Sequence, residues 1–92
     1  MVAFVILHYK NFNDTIECID SIKKIEGNKK IIVVDNNSLA ETEIEKLKKI
    51  VDDIVLLNEN LGFAKANNKG ISLALEYNPK FVVAINNDII IS

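Results

Sequence analysis

Four stretches of the chain are unbroken apolar runs, and more polar segments separate them. The runs are Val2–Leu7, Ile31–Val34, Ile54–Leu57 and Phe81–Ile85. Because they are rich in β-branched residues and do not alternate with polar ones, they are typical of strands that are covered on both faces. Strands of this kind occur in parallel sheets, so the pattern predicts an α/β protein in which a helix follows each of the first three strands.

The intervening segments have the periodicity and the end signals of helices. Asp14 and Glu17 have capping-box spacing at the start of the first helix, and isoleucines then repeat on one side. The second helix has two competing boxes, so its start is left open between them. These two boxes are Ser38 with Glu41 and Thr42 with Glu45.

The third helix is predicted over residues 63–77, and Asn78-Pro79 would end it. The glycine at position 70 is expected to allow the helix to approach the sheet closely. The predicted buried side chains of this helix are Phe63, Ile71, Ala74 and Leu75.

Right-handed crossovers place the helices on both faces of the sheet, and the favoured strand order is 3-2-1-4. The expected fold is a three-layer α/β/α Rossmann-like sandwich with four mostly parallel strands, and residues 1–92 form a single domain. The chain ends four residues after Asp88, which would leave the fourth strand as a bare apolar edge. We expect the chain to be the first portion of a longer protein, or to pair with a second copy of itself.

Composition and charge exclude several classes of protein. Eleven lysines, no arginine and thirteen acidic residues give a net charge of −2, which argues against a nucleic-acid binder. The longest apolar run is far shorter than the ~20 residues of a membrane-spanning helix, and no basic leader precedes it. The single cysteine, Cys18, cannot form an internal disulfide, so we expect a reduced cytosolic domain in which this thiol packs in the core.

Polar residues, above all asparagines, follow every predicted strand. Eight of the twelve asparagines lie in these connections, where asparagine also suits turns. The segment Asn86-Asn87-Asp88 differs because it interrupts an apolar run without Gly or Pro, which indicates side chains directed at a ligand or a cation. Since ligands bind at the carboxyl ends of the strands in such sheets, this edge is the candidate site.

The acids and rings at this edge have different interpretations. Asp88 is a candidate ligand for Mg²⁺ or Mn²⁺, which one carboxylate can hold together with waters and substrate phosphates. Asp35 is either a ligand-binding acid or a loop carboxylate that accepts backbone N–H bonds, and both stay open. Tyr9 is a core aromatic, a rim plug or a stacking platform for a planar base. His8 is expected to pack, because no nucleophile or metal motif accompanies it.

Four segments of the chain together resemble a known family. They are residues 5–11 (VILHYKN), 32–38 (IVVDNNS), 58–71 (NENLGFAKANNKGI) and 85–88 (INND). In order and spacing they are similar to the nucleotide-binding half of family 2 glycosyltransferases, most closely of the rhamnosyltransferase-like branch. The resemblance covers essentially the whole chain. It implies the A-type glycosyltransferase fold, truncated here, which binds a nucleoside-diphosphate sugar with Mg²⁺ or Mn²⁺.

The resemblance implies nucleotide-binding roles for seven residues and a metal-binding role for Asp88. The seven are Tyr9 at the base, Asp35 and Asn36 at the base and ribose, Asn87 at the ribose, and Asn60, Gly62 and Asn67 beside the nucleotide. Asn36 stands where many relatives have an aspartate that accepts from the base, so recognition of uridine or thymidine survives without the charge. Asn67 stands where many relatives have an arginine, and the loss of that cation near the diphosphate favours metal dependence.

The resemblance also implies an inverting, metal-assisted transfer of a sugar to an acceptor hydroxyl of a polysaccharide, a lipid or a protein glycan. In the family, the general base and the acceptor pocket lie in the second half of the domain, so no catalytic residue is expected in this chain. We therefore expect donor binding without turnover by the chain alone. The expected location is cytoplasmic and, within a longer protein, at the inner membrane surface.

Two other functions stay open. The first is a non-catalytic interaction or oligomerisation module that keeps the fold and pairs through the edge of the fourth strand. The second is a phosphoacceptor signalling domain, which only the segment Lys30–Asp35 favours. That function needs acids where Asn36 and Asn58 stand, so the sequence counts against it.

Overall fold

The structure, a computed structural model, describes residues 1–88. The elements are β1 (Val2–His8), α1 (Phe12–Lys23), β2 (Lys29–Asp35), α2 (Glu41–Lys48), β3 (Asp53–Leu56), α3 (Phe63–Leu75) and β4 (Phe81–Asn86). The four strands form one parallel sheet in the order β3-β2-β1-β4, which confirms the predicted topology. The predicted end of the domain at Ser92 lies outside the described residues.

The register of the sheet aligns the carboxyl ends of β1, β2 and β4. Leu7 of β1 pairs with Val34 of β2 and with Asn86 of β4, and His8 pairs with Asp35. The residues that follow these three strands therefore meet at one edge of the sheet, where ligands bind in open parallel sheets.

Two apolar cores lie on the two faces of the sheet, because successive residues of a strand point to opposite sides. One core packs β1 and β2 against α1 and α2, and the other packs the same strands against α3. Full burial of a large aliphatic side chain stabilises a fold by about 1.5–3 kcal/mol. The first core includes Phe4, Ile6, Ile19, Ile22 and Leu47, and the second includes Ala3, Val5, Leu7, Ile32 and Ala66.

Gly70 allows α3 to lie close to the sheet, as predicted. A Cβ atom at this position would overlap the side chains of Val34 and Val5, which are both buried. Ala66 and Ala74 continue the same small-residue face of the helix. The third helix therefore makes its close approach to the sheet through small side chains, and larger, partly buried apolar side chains of the helix pack against the same core.

Two of the predicted buried side chains of α3 are exposed, so that part of the prediction was wrong. Phe63 and Leu75 are 56% and 58% exposed, and the helix ends at Leu75 rather than at Tyr77. Phe63 shares a helix face with Gly70, but it is the first residue of the helix and lies at the carboxyl edge, beyond the cover of the sheet. Leu75 lies beside the small-residue face and not on it. The periodicity of apolar residues in the helix does not show which of them lie beyond the edge of the sheet.

The first two helices begin at other positions than the predicted caps imply. The first residue of α1 is Phe12, which precedes the predicted cap Asp14, and that of α2 is Glu41. Ser38 does not cap α2, because the carboxylate of Asp35 holds its amide and its hydroxyl in the preceding loop. Whether a residue caps a helix therefore depends on the other hydrogen-bond partners of that residue as well as on its spacing in the sequence.

Within residues 1–88, β4 forms an outer edge of the sheet, as expected. Its first residue, Phe81, is 66% exposed. An exposed ring beside unpaired backbone groups makes this edge a surface on which another strand can pair. None of the three helices described is both long and apolar enough to cross a membrane.

Candidate functional site

A pocket with a volume of about 470 Å³ opens at the carboxyl edge of the sheet. Residues that follow all four strands and residues in the first turns of α1 and α3 form its walls. Its lining residues are Leu7, Tyr9, Asn11, Asp14, Asn36, Asn60, Gly62, Phe63, Asn86, Asn87 and Asp88.

Six of the eight site residues predicted from the sequence line this pocket. They are Tyr9, Asn36, Asn60, Gly62, Asn87 and Asp88. They come from the connections after four different strands, so the fold brings them together. Their assignment to a nucleotide and a metal stays a prediction. The other two, Asp35 and Asn67, do not line the pocket.

Asn36 ties the segment before α3 to the end of β2. Its Nδ2 donates to Asn60 Oδ1 at 2.9 Å, and its Oδ1 accepts the N–H of Leu61 at 3.0 Å. Asn60 Oδ1 also accepts the N–H of Gly62 at 2.9 Å. Because these backbone N–H groups fix both amide oxygens, an aspartate at position 36 could not donate to Asn60. The asparagine found here in place of that aspartate therefore has a structural role.

Asn87 holds the turn between β1 and α1. It is buried, and its Nδ2 donates to the carbonyl oxygen of Lys10 at 2.8 Å and, at 3.4 Å, to that of Asn11. Its backbone N–H donates to the carbonyl oxygen of Leu7 at 3.1 Å. The amide nitrogen is thus engaged within the protein. The Oδ1 atom of this side chain makes no hydrogen bond to the described residues and is therefore available to a ligand.

Asp35 is 4% exposed and serves the loop that follows β2. Its Oδ1 accepts the N–H of Ser38 at 2.8 Å and the Ser38 hydroxyl at 3.3 Å, and the N–H of Leu39 donates to both carboxylate oxygens at 3.2 Å. Of the two interpretations that the sequence left open, the structure therefore supports the loop carboxylate. The predicted contact with a base or ribose stays a prediction, since Asp35 lies outside the pocket lining.

The pleat of β2 explains why Asp35 and Asn36 differ. Asp35 continues the face of Val33, which packs against α1 and α2, whereas Asn36 continues the face of Val34, which packs against α3. The pocket opens on the second face, to which Leu7 also belongs. One residue of sequence therefore separates a loop anchor from a pocket residue.

Asn67 lies on the sheet-facing side of α3 and is nearly fully buried. Its Oδ1 atom has no hydrogen-bond partner among residues 1–88. A buried amide oxygen without a donor costs about 1–3 kcal/mol, so a donor that reached it would bind favourably. The role of Asn67 beside a nucleotide stays a prediction, since the residue lies outside the pocket lining.

The charged side chains of the pocket lining are two carboxylates, Asp14 and Asp88, and the lining contains no lysine or histidine. The Nζ atom of Lys10 lies 5.1 Å from the centre of the Tyr9 ring, but Lys10 is not part of the lining. A diphosphate in this pocket would be repelled unless a cation entered with it.

The donor set fits a divalent cation that takes most of its ligands from phosphate and water. Mg²⁺ is commonly held in this way, through one or two carboxylates, and Asp88 and Asp14 supply two. In the described part of the chain no three His, Cys, Asp or Glu side chains form a group that could hold a metal by themselves. A cation in this pocket would therefore need further ligands from outside the protein, such as water or phosphate.

His8 and Cys18 pack inside the protein, as expected. His8 is buried, its Nδ1 lies 2.6 Å from Thr15 Oγ1, and burial lowers its pKa against the opposing effect of two nearby carboxylates. Burial first, and the charge of Asp88 second, raise the pKa of the Cys18 thiol to about 11. A thiol with this pKa is protonated at neutral pH and is a poor nucleophile.

Five residues of the lining are not among the eight predicted site residues, and Asp14 and Phe63 are the two of them that lie in helices. Both lie in the first turn of a helix that follows a strand. Because such helices begin at the carboxyl edge of a parallel sheet, their first turns were the signal that could have located both residues. Together with Tyr9, which is 43% exposed, Phe63 gives the pocket a second partly exposed aromatic ring.

Several solved structures are similar to this chain. S. aureus TarS has a TM-score of 0.80 at 20% identity, over 99% of this chain and 28% of that one. TarS in complex with UDP has a TM-score of 0.74 at 21% identity, over 95% and 27% of the two chains. The mannosyltransferase PcManGT from Pyrobaculum calidifontis, in complex with GDP-Man and Mn²⁺, has a TM-score of 0.73 at 21% identity, over 97% and 28%. No curated protein matches the chain significantly.

These likenesses confirm the A-type glycosyltransferase fold, and the chain spans about 28% of the length of the solved proteins. The family model described as glycosyl transferase family 2 matches residues 3–92, which is nearly the whole chain. The chain therefore belongs to glycosyl transferase family 2.

Proposed function

We propose that this chain is the donor-binding part of an inverting, metal-assisted glycosyltransferase. Its ligand would be the nucleoside diphosphate of a nucleotide sugar, of the uridine or thymidine type. The observation that carries the proposal is that six predicted site residues from four separate connections line one pocket. Neighbours in complex with UDP, and with GDP-Man and Mn²⁺, support the same class of ligand.

The pocket offers a wall for the base and a fixed entry to α3. Tyr9 would lie against the base, since its ring is partly exposed and lines the pocket. Asn36 and Asn60 would hold the segment beside the nucleotide in place through the bonds they already make. Gly62 has a φ of 81°, which L-residues rarely adopt, and it brings no side chain into the pocket.

Asp88 is the proposed metal ligand, and Asp14 is a second carboxylate in the same pocket. When bound, Mg²⁺ or Mn²⁺ would stabilise the negative charge that develops on the departing diphosphate. Because the pocket lining holds two carboxylates and no cationic side chain, a diphosphate would bind poorly to the protein alone. The charge of this pocket is therefore the physical reason to propose metal dependence.

Sugar transfer also needs a base that deprotonates the acceptor hydroxyl. We assign this role to no residue of the described part, because His8 is engaged in the core and the proposal gives Asp14 and Asp88 to the metal. The function proposed for this chain is donor binding, and we expect no sugar transfer by the chain alone.

Calorimetric titration of UDP into the chain tests this proposal. We expect saturable binding with Mn²⁺, and binding weaker by about tenfold or more, or ~1.4 kcal/mol, when EDTA removes the metal. Asp88→Asn should weaken binding with Mn²⁺ by a similar factor, since these hard cations prefer carboxylate oxygens. The matched control is Asp53→Asn, which removes an equal charge from outside the pocket lining and should bind UDP like the unaltered chain.

Two results would contradict separate parts of the proposal. Equal affinity of the unaltered chain and of Asp88→Asn for UDP with Mn²⁺ would contradict the assignment of the metal ligand. Failure of UDP, thymidine diphosphate and GDP all to bind would contradict donor binding itself. The order of affinity among the three diphosphates tests the proposed preference for uridine or thymidine.

A second candidate function is an interaction module that pairs through the edge of β4. The observation that favours it is the exposed Phe81 ring on an edge that has no partner strand within residues 1–88. Sedimentation at increasing protein concentration tests this function. A dimer that Phe81→Lys disperses would support it, and a monomer at every concentration would contradict it.

A further inference from the structure

The turn between β1 and α1, residues 9–11, has a backbone conformation that its sequence does not favour. Lys10 and Asn11 have φ values of 56° and 52°, in the left-handed region. Asparagine tolerates this region, but lysine enters it rarely, so contacts from elsewhere must hold the turn. The turn also carries Tyr9, which lines the pocket.

Ser38, from the loop after β2, holds one side of this turn. The N–H of Lys10 donates to Ser38 Oγ at 2.8 Å. The Ser38 hydroxyl donates in turn to Asp35 Oδ1 at 3.3 Å, and the same oxygen accepts the N–H of Ser38 at 2.8 Å. Because an ionised carboxylate can only accept, the hydroxyl proton is directed at Asp35 and an Oγ lone pair is left for Lys10.

Asn87, at the end of β4, holds the other side of the turn. Its Nδ2 donates to the carbonyl oxygen of Lys10 at 2.8 Å. Both backbone polar groups of Lys10 are therefore bound, each by a residue that follows a different strand. Asp35 supports this arrangement from a buried position outside the pocket lining.

We infer that Asp35 is a positioning residue: acting through Ser38, it fixes the backbone of Lys10 and so the place of Tyr9 in the pocket. The inference rests on the proposed donor-binding function, and it gives Asp35 no direct contact with the nucleotide. It also explains why a buried carboxylate ends β2, since all of its described hydrogen bonds go to the loop that holds the turn.

Direct contact and positioning predict different effects of Ser38 on nucleotide binding. If Asp35 touched the nucleotide, loss of the Ser38 hydroxyl would leave the affinity for UDP unchanged. If Asp35 acts through Ser38, then Ser38→Ala and Asp35→Ala, which removes the accepting oxygens, should each weaken UDP binding with Mn²⁺ by about two- to tenfold, the range expected for one hydrogen bond. The double variant should bind as Asp35→Ala alone does, because both changes break the same series of bonds.

Hydrogen exchange of the Lys10 amide, measured by NMR without nucleotide, gives a readout that does not depend on the ligand. We expect faster exchange in Ser38→Ala and slow exchange again in Ser38→Thr, which keeps the hydroxyl. UDP affinity should recover in Ser38→Thr as well. The matched control is Asp20→Asn on the exposed side of α1, which should change neither quantity.

Unchanged exchange of the Lys10 amide in Ser38→Ala would overturn the inference. Multiplied losses of UDP affinity in the double variant would overturn it as well, because they would show that Asp35 and Ser38 act independently. If the unaltered chain binds no UDP while the exchange of Lys10 responds as expected, the proposed function fails and the hold of Asp35 on the turn stands. The two failures are thus distinguishable.

Discussion

The two ends of the sheet carry similar residues and use them differently. Near the starts of β2 and β3, the Tyr77 hydroxyl donates to Asp53 Oδ2 at 2.5 Å, and Lys30 Nζ lies 5.3 Å from the centre of the Tyr77 ring. Lys30 Nζ also lies 3.7 Å from Asp52 Oδ1, and the other oxygen of Asp52 accepts the N–H of Ile31 at 2.7 Å. Both carboxylates of this cluster therefore have hydrogen-bond partners within the protein, and one of them also forms a salt bridge.

The carboxyl edge repeats the same residue types, but its carboxylates lack such partners among the described residues. It has a lysine over a tyrosine ring, Lys10 over Tyr9, and two carboxylates, Asp14 and Asp88. Neither carboxylate is in a salt bridge within the described part of the chain. Residue type alone thus does not distinguish a structural cluster from a candidate site. The distinguishing property is a pair of carboxylates that the described residues leave without a hydrogen bond or salt bridge beside a cavity.

The largest expected effect concerns α3, which connects the two ends. Gly62 precedes this helix at the pocket, and Tyr77 follows it at the other end. Gly70→Ala should lower the free energy of unfolding by about 1–3 kcal/mol, because the added methyl group overlaps the stiff side chains of Val34 and Val5. Urea denaturation measures the loss, and both ends should be disturbed together because the whole helix must move.

The matched control for Gly70→Ala is Ser72→Ala, on the exposed side of the same helix. Its free energy of unfolding should stay within about 0.5 kcal/mol of that of the unaltered chain. Equal stability of the two variants would show that α3 does not depend on close approach to the sheet at Gly70.

A smaller effect is expected from Asn36→Asp. This change adds a negative charge at the carboxyl edge, at a side chain that is hydrogen-bonded within the protein. The aspartate could not donate to Asn60 Oδ1, so two acceptors would face each other in a buried position. We expect the free energy of unfolding to fall by about 1 kcal/mol, measured in urea at neutral pH. Asn37→Asp, at the exposed neighbour, should change it by less than about 0.5 kcal/mol. Similar losses in both variants would contradict a specific role of the Asn36–Asn60 bond.

The fold could be predicted from the sequence because its signals are local. Each strand is a short apolar run, and general rules for crossovers then fix the order of the sheet. The position of the pocket follows from the same rules, since it needs only the carboxyl ends of the strands. Asp88 could be selected for this reason without knowledge of its contacts, whereas the role predicted for Tyr9 came from the family resemblance.

The partners of the polar side chains could not be predicted, because they are distant in sequence. Asn87 binds the backbone of Lys10, which is 77 positions away, and Asn36 binds Asn60, which is 24 positions away. The face of Asp35 depends on which core its strand neighbours join, and the sequence alone does not assign the faces. The same limit affects the prediction of helix caps. The spacing in the sequence does not show that Ser38 is already hydrogen-bonded to the carboxylate of Asp35.

The smallest expected effect concerns the cluster near the starts of β2 and β3, and it is tested through the pH dependence of stability. The hydrogen bond to Asp53 first, and burial second, raise the pKa of the Tyr77 hydroxyl from 10.0 to about 12. The folded chain therefore keeps a proton that the unfolded chain begins to release near pH 10. The contribution to stability is complete below pH 10 and is lost as the pH rises to about 12. It is small because this side chain is partly exposed, and solvent screens its interactions.

Tyr77→Phe removes this contribution, so the difference in unfolding free energy between the unaltered chain and the variant should shrink as the pH rises from 10 to about 12. Denaturant titrations across this range measure the difference, and they cancel the deprotonation of lysines that both proteins share. The matched control is Ser72→Ala, which removes an exposed hydroxyl that does not ionise in this range, and its difference should stay constant. A constant difference for Tyr77→Phe as well would mean that Tyr77 and Asp53 do not stabilise each other in the folded chain. The difference between the two ends of the sheet would then depend on Lys30 and Asp52 alone.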